Sequence, residues 1–287
     1  MKIQIKPQRY LLKLYYIGTK KFHGSQKQRE ISTIENFLLE SLISTNYIND
    51  YKTSGFEAAS RTDKFVSARS AVFSFISQKE KIIPMEINSI LPKEIGIWAH
   101  APVDINFSSR FNAIYRHYKY IVPKSIAFIE KEPKINLEIM NKACRELEGN
   151  HNFINFTKRE RGIKKKTNRT ILSATININD GYLIFDFKSR AFLRQQIRRI
   201  VKKILELGKG QINYSDFLTL FDSSKEISYQ PSDPTGLILW DIKYDEDINF
   251  IIDQKSKERM MRYFLNQEIN YSHKYQLFKI LQQNNFS

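Results

Sequence analysis

With 287 residues, 41% hydrophobic and 13% aromatic, the chain can bury one large core or two modest domains. No apolar run approaches the roughly 18–20 residues that span a bilayer, residues 1–6 lack the apolar core of a signal peptide, and the single cysteine, Cys144, excludes an internal disulfide or thiolate cluster. Lys+Arg 46 against Asp+Glu 30 gives a net charge of +16, which favours a polyanionic partner.

The excess charge is spread over several elements, so nucleic acid fits better than a membrane surface, which one amphipathic helix would serve. Aromatics mixed among the cations agree, since unstacked bases need flat partners. His23, His100, His117, His151 and His273 show no metal-ligand spacing. The expectation is a soluble intracellular protein without a structural metal.

In chain order, residues 10–16 alternate as a strand, with Tyr10, Leu12, Leu14 and Tyr16 on one face and Lys13 opposite. Residues 18–28 read as a glycine-punctuated basic loop carrying Lys20 and Lys21; no Gly-Lys-Ser/Thr opens a helix after it, so it is no Walker loop. Ser32-Thr33-Ile34-Glu35 has the capping-box pattern, and Ile34, Phe37, Leu38 and Leu42 give the helical stripe behind it. Arg61-Thr62-Asp63 then sets a carboxylate beside a guanidinium at the mouth of a strand, 71–76. On spacing alone that is a solvated turn more often than an active site. A short turn at 87–91 and a buried strand at 95–99 complete a first α/β half, 1–105.

The second half, 106–249, opens on a loop through Arg110 and a strand from Arg116 to Val122 that sets Tyr118, Tyr120 and Val122 on one face. Leu137, Met140, Cys144 and Leu147 mark a helix ending near Gly149, which makes Cys144 a core residue. Residues 158–169 form a charge run with Lys164, Lys165, Lys166 and Arg169: a solvated loop or a phosphate-contacting insertion. Asn179-Asp180-Gly181 between two strands signals a hairpin. A long helix is predicted over 191–207, with Arg194, Arg198 and Lys202 in a cationic i, i+4 row on its flank. A short helix at 214–221, a strand from Gly236 through Tyr244 and a polar helical extension, 250–287, follow. The halves share an order of elements, and two sheets joined side by side would leave a basic cleft between them.

Several of these stretches together resemble the tRNA pseudouridine synthases of the TruA family. They are residues 18–28, Arg61-Thr62-Asp63, Arg110-Phe111-Asn112-Ala113, Arg116-His117-Tyr118-Lys119-Tyr120, Phe153-Ile154-Asn155-Phe156, Ala191-Phe192-Leu193 with Ile197-Arg198, and Gly236-Leu237-Ile238-Leu239. They run in the family's order over roughly residues 8–245.

The resemblance implies an α+β fold of two similar α/β halves, each an antiparallel sheet with helices on one side, around a central RNA-binding cleft. It implies cofactor-free and metal-free isomerisation of uridine to pseudouridine in the anticodon arm of tRNA, around nucleotides 38–40, by an enzyme that often acts as a homodimer. Carried over by residue, Asp63 is the catalytic carboxylate, Tyr118 packs on the target base, Arg61 helps hold it unstacked, and Arg198 pairs with Asp63. Leu237 supports the site, while Arg110 and Arg116 join Tyr118 in binding substrate. Lys20, Lys21, Lys164, Lys165, Lys166, Arg169 and Arg194 are expected on the RNA backbone.

Two departures stand out. Phe65 occupies a position where the family has glycine; if that position needs positive φ, the turn stores about 1–3 kcal/mol of strain. The loop around residues 18–24 is one residue longer than the family's. Phe65 motivates an alternative, a tRNA-binding protein of the same fold with impaired chemistry; a third reading is a basic structural component of a ribonucleoprotein.

Overall fold

A computed structural model describes residues 7–125, 135–159 and 166–283. Its described strands form one sheet in the order β10-β4-β1-β3-β9-β5-β8-β7-β6, with β2 paired to β3. The first half supplies β1 (Gln8–Tyr16), β2 (Glu57–Ala58), β3 (Ser67–Ser77) and β4 (Ile95–Val103). The second supplies β5 (Tyr115–Ser125), β6 (Gly149–Asn152), β7 (Asn168–Asn179), β8 (Tyr182–Ser189) and β9 (Leu237–Lys243), and β10 (Ile251–Ile252) returns to the outer edge beside β4.

Neighbouring strands run antiparallel except at one seam. There β3 and β9 pair in parallel, Ser67 opposite Ile238 and Ala68 opposite Leu239. The two antiparallel sheets expected from the sequence are thus fused edge to edge. The seam sets the end of the Arg61-Thr62-Asp63 turn beside β9, which also pairs with β5 and brings Tyr118 opposite Leu239.

Helices cover this sheet with the stripes read from the sequence. Helix α1 (Ile34–Ser44) buries Ile34, Leu38, Leu39 and Leu42. Helix α2 (Pro84–Asn88) is short, and α3 (Leu137–Leu147) buries Met140, Ala143, Cys144 and Leu147. Helix α4 (Gln196–Gly208) buries Ile197, Ile200, Val201, Ile204 and Leu207; α5 (Tyr214–Thr219) follows, and α6 (Gln254–Leu281) closes the described chain. Asp180 and Gly181 both take positive φ, 47° and 76°, as the primed hairpin turn requires.

Local details differ from the sequence reading. Thr33, not Ser32, caps α1, accepting from the Asn36 amide, and Glu35 turns away to accept the Lys27 amide at 2.8 Å. Helix α4 starts at Gln196 rather than Ala191, because Gln195 is left-handed (φ 60°) and the Gln196 carboxamide accepts the Leu193 amide at 2.7 Å. Arg194 therefore stands off the helix, and no row of three cations forms on its flank.

Candidate active site

The Arg61-Thr62-Asp63 turn lies on the basic loop that precedes α1. The Ser25 hydroxyl accepts the Thr62 amide at 2.9 Å, and the Ser25 amide donates to the Thr62 carbonyl at 3.1 Å. Gly18 has no side chain because a Cβ there would overlap the Phe65 carbonyl group; at Gly24 it would approach the Thr62 oxygen to 2.8 Å. The turn closes with the Val66 amide donating to the Asp63 carbonyl at 3.2 Å. Phe65 sits in it at φ 68°, in the left-handed region where glycine is at home. The bulky residue strains the turn without opening it, and the Asp63 carboxylate still reaches its partner.

That partner is Arg198. Its Nη1 lies 3.2 Å from Asp63 Oδ2, and its Nε donates to the Ser232 carbonyl at 2.7 Å. The pair is lopsided: the Arg198 side chain is 10% exposed and that of Asp63 39%. The guanidinium is fixed from behind, while the carboxylate faces the open side, where a substrate can reach it.

Tyr118 lies near the carboxylate, whose charge acts on its phenol. It is buried, its phenol hydrogen-bonds Ser60 at 2.9 Å, and Phe192 meets its ring edge to face at 5.4 Å. Burial raises the phenol above its ordinary pKa against the lowering effects of Ser60 and Arg116, so it stays protonated at neutral pH. Leu237, also buried, heads β9 opposite Tyr120 and extends the apolar floor two residues from the Tyr118 pair.

The remaining cations separate into classes. Arg61 is exposed, and its guanidinium makes no hydrogen bond among the described residues. Arg110 is exposed beside Phe111, and its amide donates to Glu57 Oε2 at 3.1 Å. Arg116, grouped with the substrate-binding residues by sequence, is only 6% exposed. Its guanidinium donates to the carbonyls of Arg190 (2.6 Å), Ala59 (2.7 Å) and Arg110 (2.6 Å). It is a strut under the cleft wall, tying three segments of the site together.

Among the expected backbone contacts, Lys20, Lys166 and Arg194 are exposed. Lys21 lies 3.5 Å from Glu94, and Arg169 is half-buried with its guanidinium on the Lys166 and Asn168 carbonyls. Lys164 and Lys165 lie outside the described residues. Ser25, Ser60, Glu57, Phe192 and Ser232 were not singled out as site residues from sequence. Ser60 adjoins the motif and Ser25 and Phe192 lie in recognised stretches, but Glu57 and Ser232 carry no spacing signal.

A carboxylate held by a guanidinium, near a buried phenol packed on a second aromatic ring, suits the opening and remaking of a bond on a flat ring. A family model described as tRNA pseudouridine synthase matches residues 143–245. The tRNA pseudouridine synthase A of Methanosphaera stadtmanae is 36% identical over 265 residues, covering 91% of this chain and 92% of its own. That of Methanosarcina mazei is 34% identical over 272 residues, with 91% and 97% covered. That of Archaeoglobus fulgidus is 33% identical over 280 residues, with 97% and 99% covered.

Proposed function

Since the chain belongs to the tRNA pseudouridine synthase family, and is therefore an isomerase of uridine in tRNA, we propose that Asp63 is its catalytic carboxylate and that the substrate is the anticodon arm. The observation that carries this reading is the Asp63–Arg198 contact at 3.2 Å, with Tyr118 near enough for the Asp63 charge to act on its phenol. The two halves contribute separately, Asp63 from residues 1–105 and Tyr118 with Arg198 from 106–249, so we place the functional division through the cleft.

The reaction breaks C1′–N1, turns the freed uracil, joins C5 to C1′, and moves a proton from C5 to solvent while N1 gains one. Asp63 starts it by attacking C1′ or by removing the C2′ proton; both need an ionised carboxylate on the open side. The target must leave the stack, since C1′ is shielded inside a stem. The Tyr118 ring gives the flipped uracil a flat surface. Because the phenol stays protonated, it takes up the C5 proton only by handing on its own, which Ser60 Oγ at 2.9 Å is in reach to receive while it releases its own hydroxyl proton toward solvent. Arg61, exposed at the cleft mouth, is suited to hold the duplex open, and Arg110 with the exposed ring of Phe111 to bind the flanking strand.

Lys20, Lys21, Lys164, Lys165, Lys166, Arg169 and Arg194 supply the sequence-independent phosphate contacts in this reading. A homodimer and a cytoplasmic setting belong to the same proposal. No described helix is long and apolar enough to cross a membrane.

Two assays test the proposal together. Tritium release from tRNA carrying [5-³H]uridine follows loss of the C5 proton, and carbodiimide primer extension maps the product. Release with stops in the anticodon arm supports the reading; stops confined to another arm overturn the substrate assignment.

A further inference from the structure

We propose that Tyr16 and Ser25 are positioning residues: a buried clamp on Thr62 that holds the neighbouring Asp63 carboxylate at the Arg198 guanidinium. The inference deepens the reading of Asp63 as the catalytic carboxylate and rests on it.

Thr62 has three polar groups, and two buried residues from other elements engage all of them. Its amide donates to Ser25 Oγ at 2.9 Å, its carbonyl accepts the Ser25 amide at 3.1 Å, and its hydroxyl meets Tyr16 Oη at 2.8 Å. Ser25 is fully buried and Tyr16 is 1% exposed, so water does not compete for these contacts. Exposed loop residues normally satisfy such groups with solvent. Here a turn that shows its next residue to the open side is fixed from below at every polar atom of Thr62.

Both jaws of the clamp stand on rigid elements. Tyr16 ends β1, paired with Ala68 of β3 on one side and Ile95 of β4 on the other. Burial keeps its phenol well above the usual pKa, so it remains a neutral hydroxyl at any working pH. Ser25 is held by the first turn of α1: its carbonyl accepts the Glu35 amide at 3.0 Å, and that of Gly24 accepts the Ile34 amide at 3.3 Å. The chain between Thr62 and β3 is a single closed turn, so displacement of Thr62 passes directly to Asp63. Reacting groups misplaced by about 1 Å lose on the order of a hundredfold in rate. A site supported from strand and helix is held more tightly than one supported by a loop.

The proposal predicts that the Tyr16 and Thr62 hydroxyls act as one unit on the chemical step and not on binding. Single-turnover rates and tRNA dissociation constants are measured for wild type, Tyr16→Phe, Thr62→Val, Thr62→Ser and the double variant Tyr16→Phe/Thr62→Val. Tyr16→Phe and Thr62→Val are each expected to lower the rate about tenfold or more while the Kd for tRNA stays within about twofold. Thr62→Ser, which keeps the hydroxyl, recovers most of the rate lost in Thr62→Val. The double variant is no slower than the slower single one, because both remove the same contact.

A crystal structure of Tyr16→Phe is expected to show Asp63 Oδ2 beyond hydrogen-bond reach of Arg198 Nη1. Unchanged rates in both single variants, or losses that multiply in the double one, overturn the clamp. A wild-type protein inactive on every tRNA counts against the functional reading alone; the Asp63–Arg198 separation in the Tyr16→Phe structure then decides the clamp, and a retained contact overturns it.

Discussion

Asp63 and Arg198 meet at 3.2 Å across 135 positions of sequence, one from the turn before β3 and the other from the first turns of α4. The contact does not depend on full burial of both groups. Arg198 is held rigid by the Ser232 carbonyl, and Asp63 leans onto it from the open side.

This asymmetry sets what removal of the guanidinium does. A fully buried ion pair costs about 3–5 kcal/mol when one partner is lost, but a half-open carboxylate regains water. Arg198→Met is therefore expected to cost about 1–3 kcal/mol, chiefly through the orphaned Ser232 carbonyl. It is expected to lower kcat/KM at least about a hundredfold. Arg198→Lys recovers little activity, since a point ammonium does not reproduce the Nε and Nη1 directions together. Urea denaturation read beside tritium release separates the two effects.

Phe65 at φ 68° gives a test free of catalysis. Phe65→Ala and Phe65→Gly remove nearly the same side chain and differ in left-handed strain. The glycine variant is expected to be more stable than the alanine variant by about 1 kcal/mol, and to keep wild-type turnover. Equal melting temperatures contradict the strain.

For Arg116 the structure predicts a stability effect before any effect on RNA affinity. Arg116→Met strips a donor from three carbonyls at once, those of Ala59, Arg110 and Arg190. A loss of about 2–4 kcal/mol is expected in denaturant titration. At a temperature where the variant remains folded, its salt slope for tRNA binding is expected to stay close to that of wild type, because the wild-type guanidinium is committed to three backbone carbonyls.

Much of the fold was legible because hydrophobic periodicity reports burial directly: the strands around Tyr10–Tyr16 and Tyr118–Val122 and the stripe of α1 stand as read. The parallel β3–β9 seam was not, since pairing between strands some 170 residues apart leaves no local pattern. The start of α4 was misread because α-helical spacing at Phe192 continues into a loop that a left-handed Gln195 breaks. Asp63, Tyr118 and Arg198 were brought forward by resemblance rather than by spacing, and the structure brings Asp63 and Arg198 into contact. Arg116 was grouped with the substrate-binding residues because side-chain chemistry alone does not tell a phosphate from three carbonyls.

Away from the cleft, Asp186 makes acid stability testable. Burial pushes its carboxyl upward, but hydrogen bonds from His117 at 2.7 Å and Lys119 at 2.9 Å outweigh that and bring it down to about 2. A carboxyl held below its unfolded value contributes stability above about pH 4 and loses it as pH falls toward 2. The contribution is about 1 kcal/mol once solvent screening is allowed for. In Asp186→Asn, this part of the acid limb in a pH series of denaturation curves is expected to disappear.

Asp63 itself offers the most direct test. Asp63→Asn keeps the size of the side chain and a hydrogen-bonding oxygen for Arg198, and removes only the charge that, in the proposed reading, attacks C1′ or takes the C2′ proton. Single-turnover pseudouridine formation on anticodon-arm tRNA should fall to background in this variant, with the Kd for tRNA within about threefold of wild type. Pseudouridine formed at the wild-type rate by Asp63→Asn would contradict the assignment of the catalytic carboxylate.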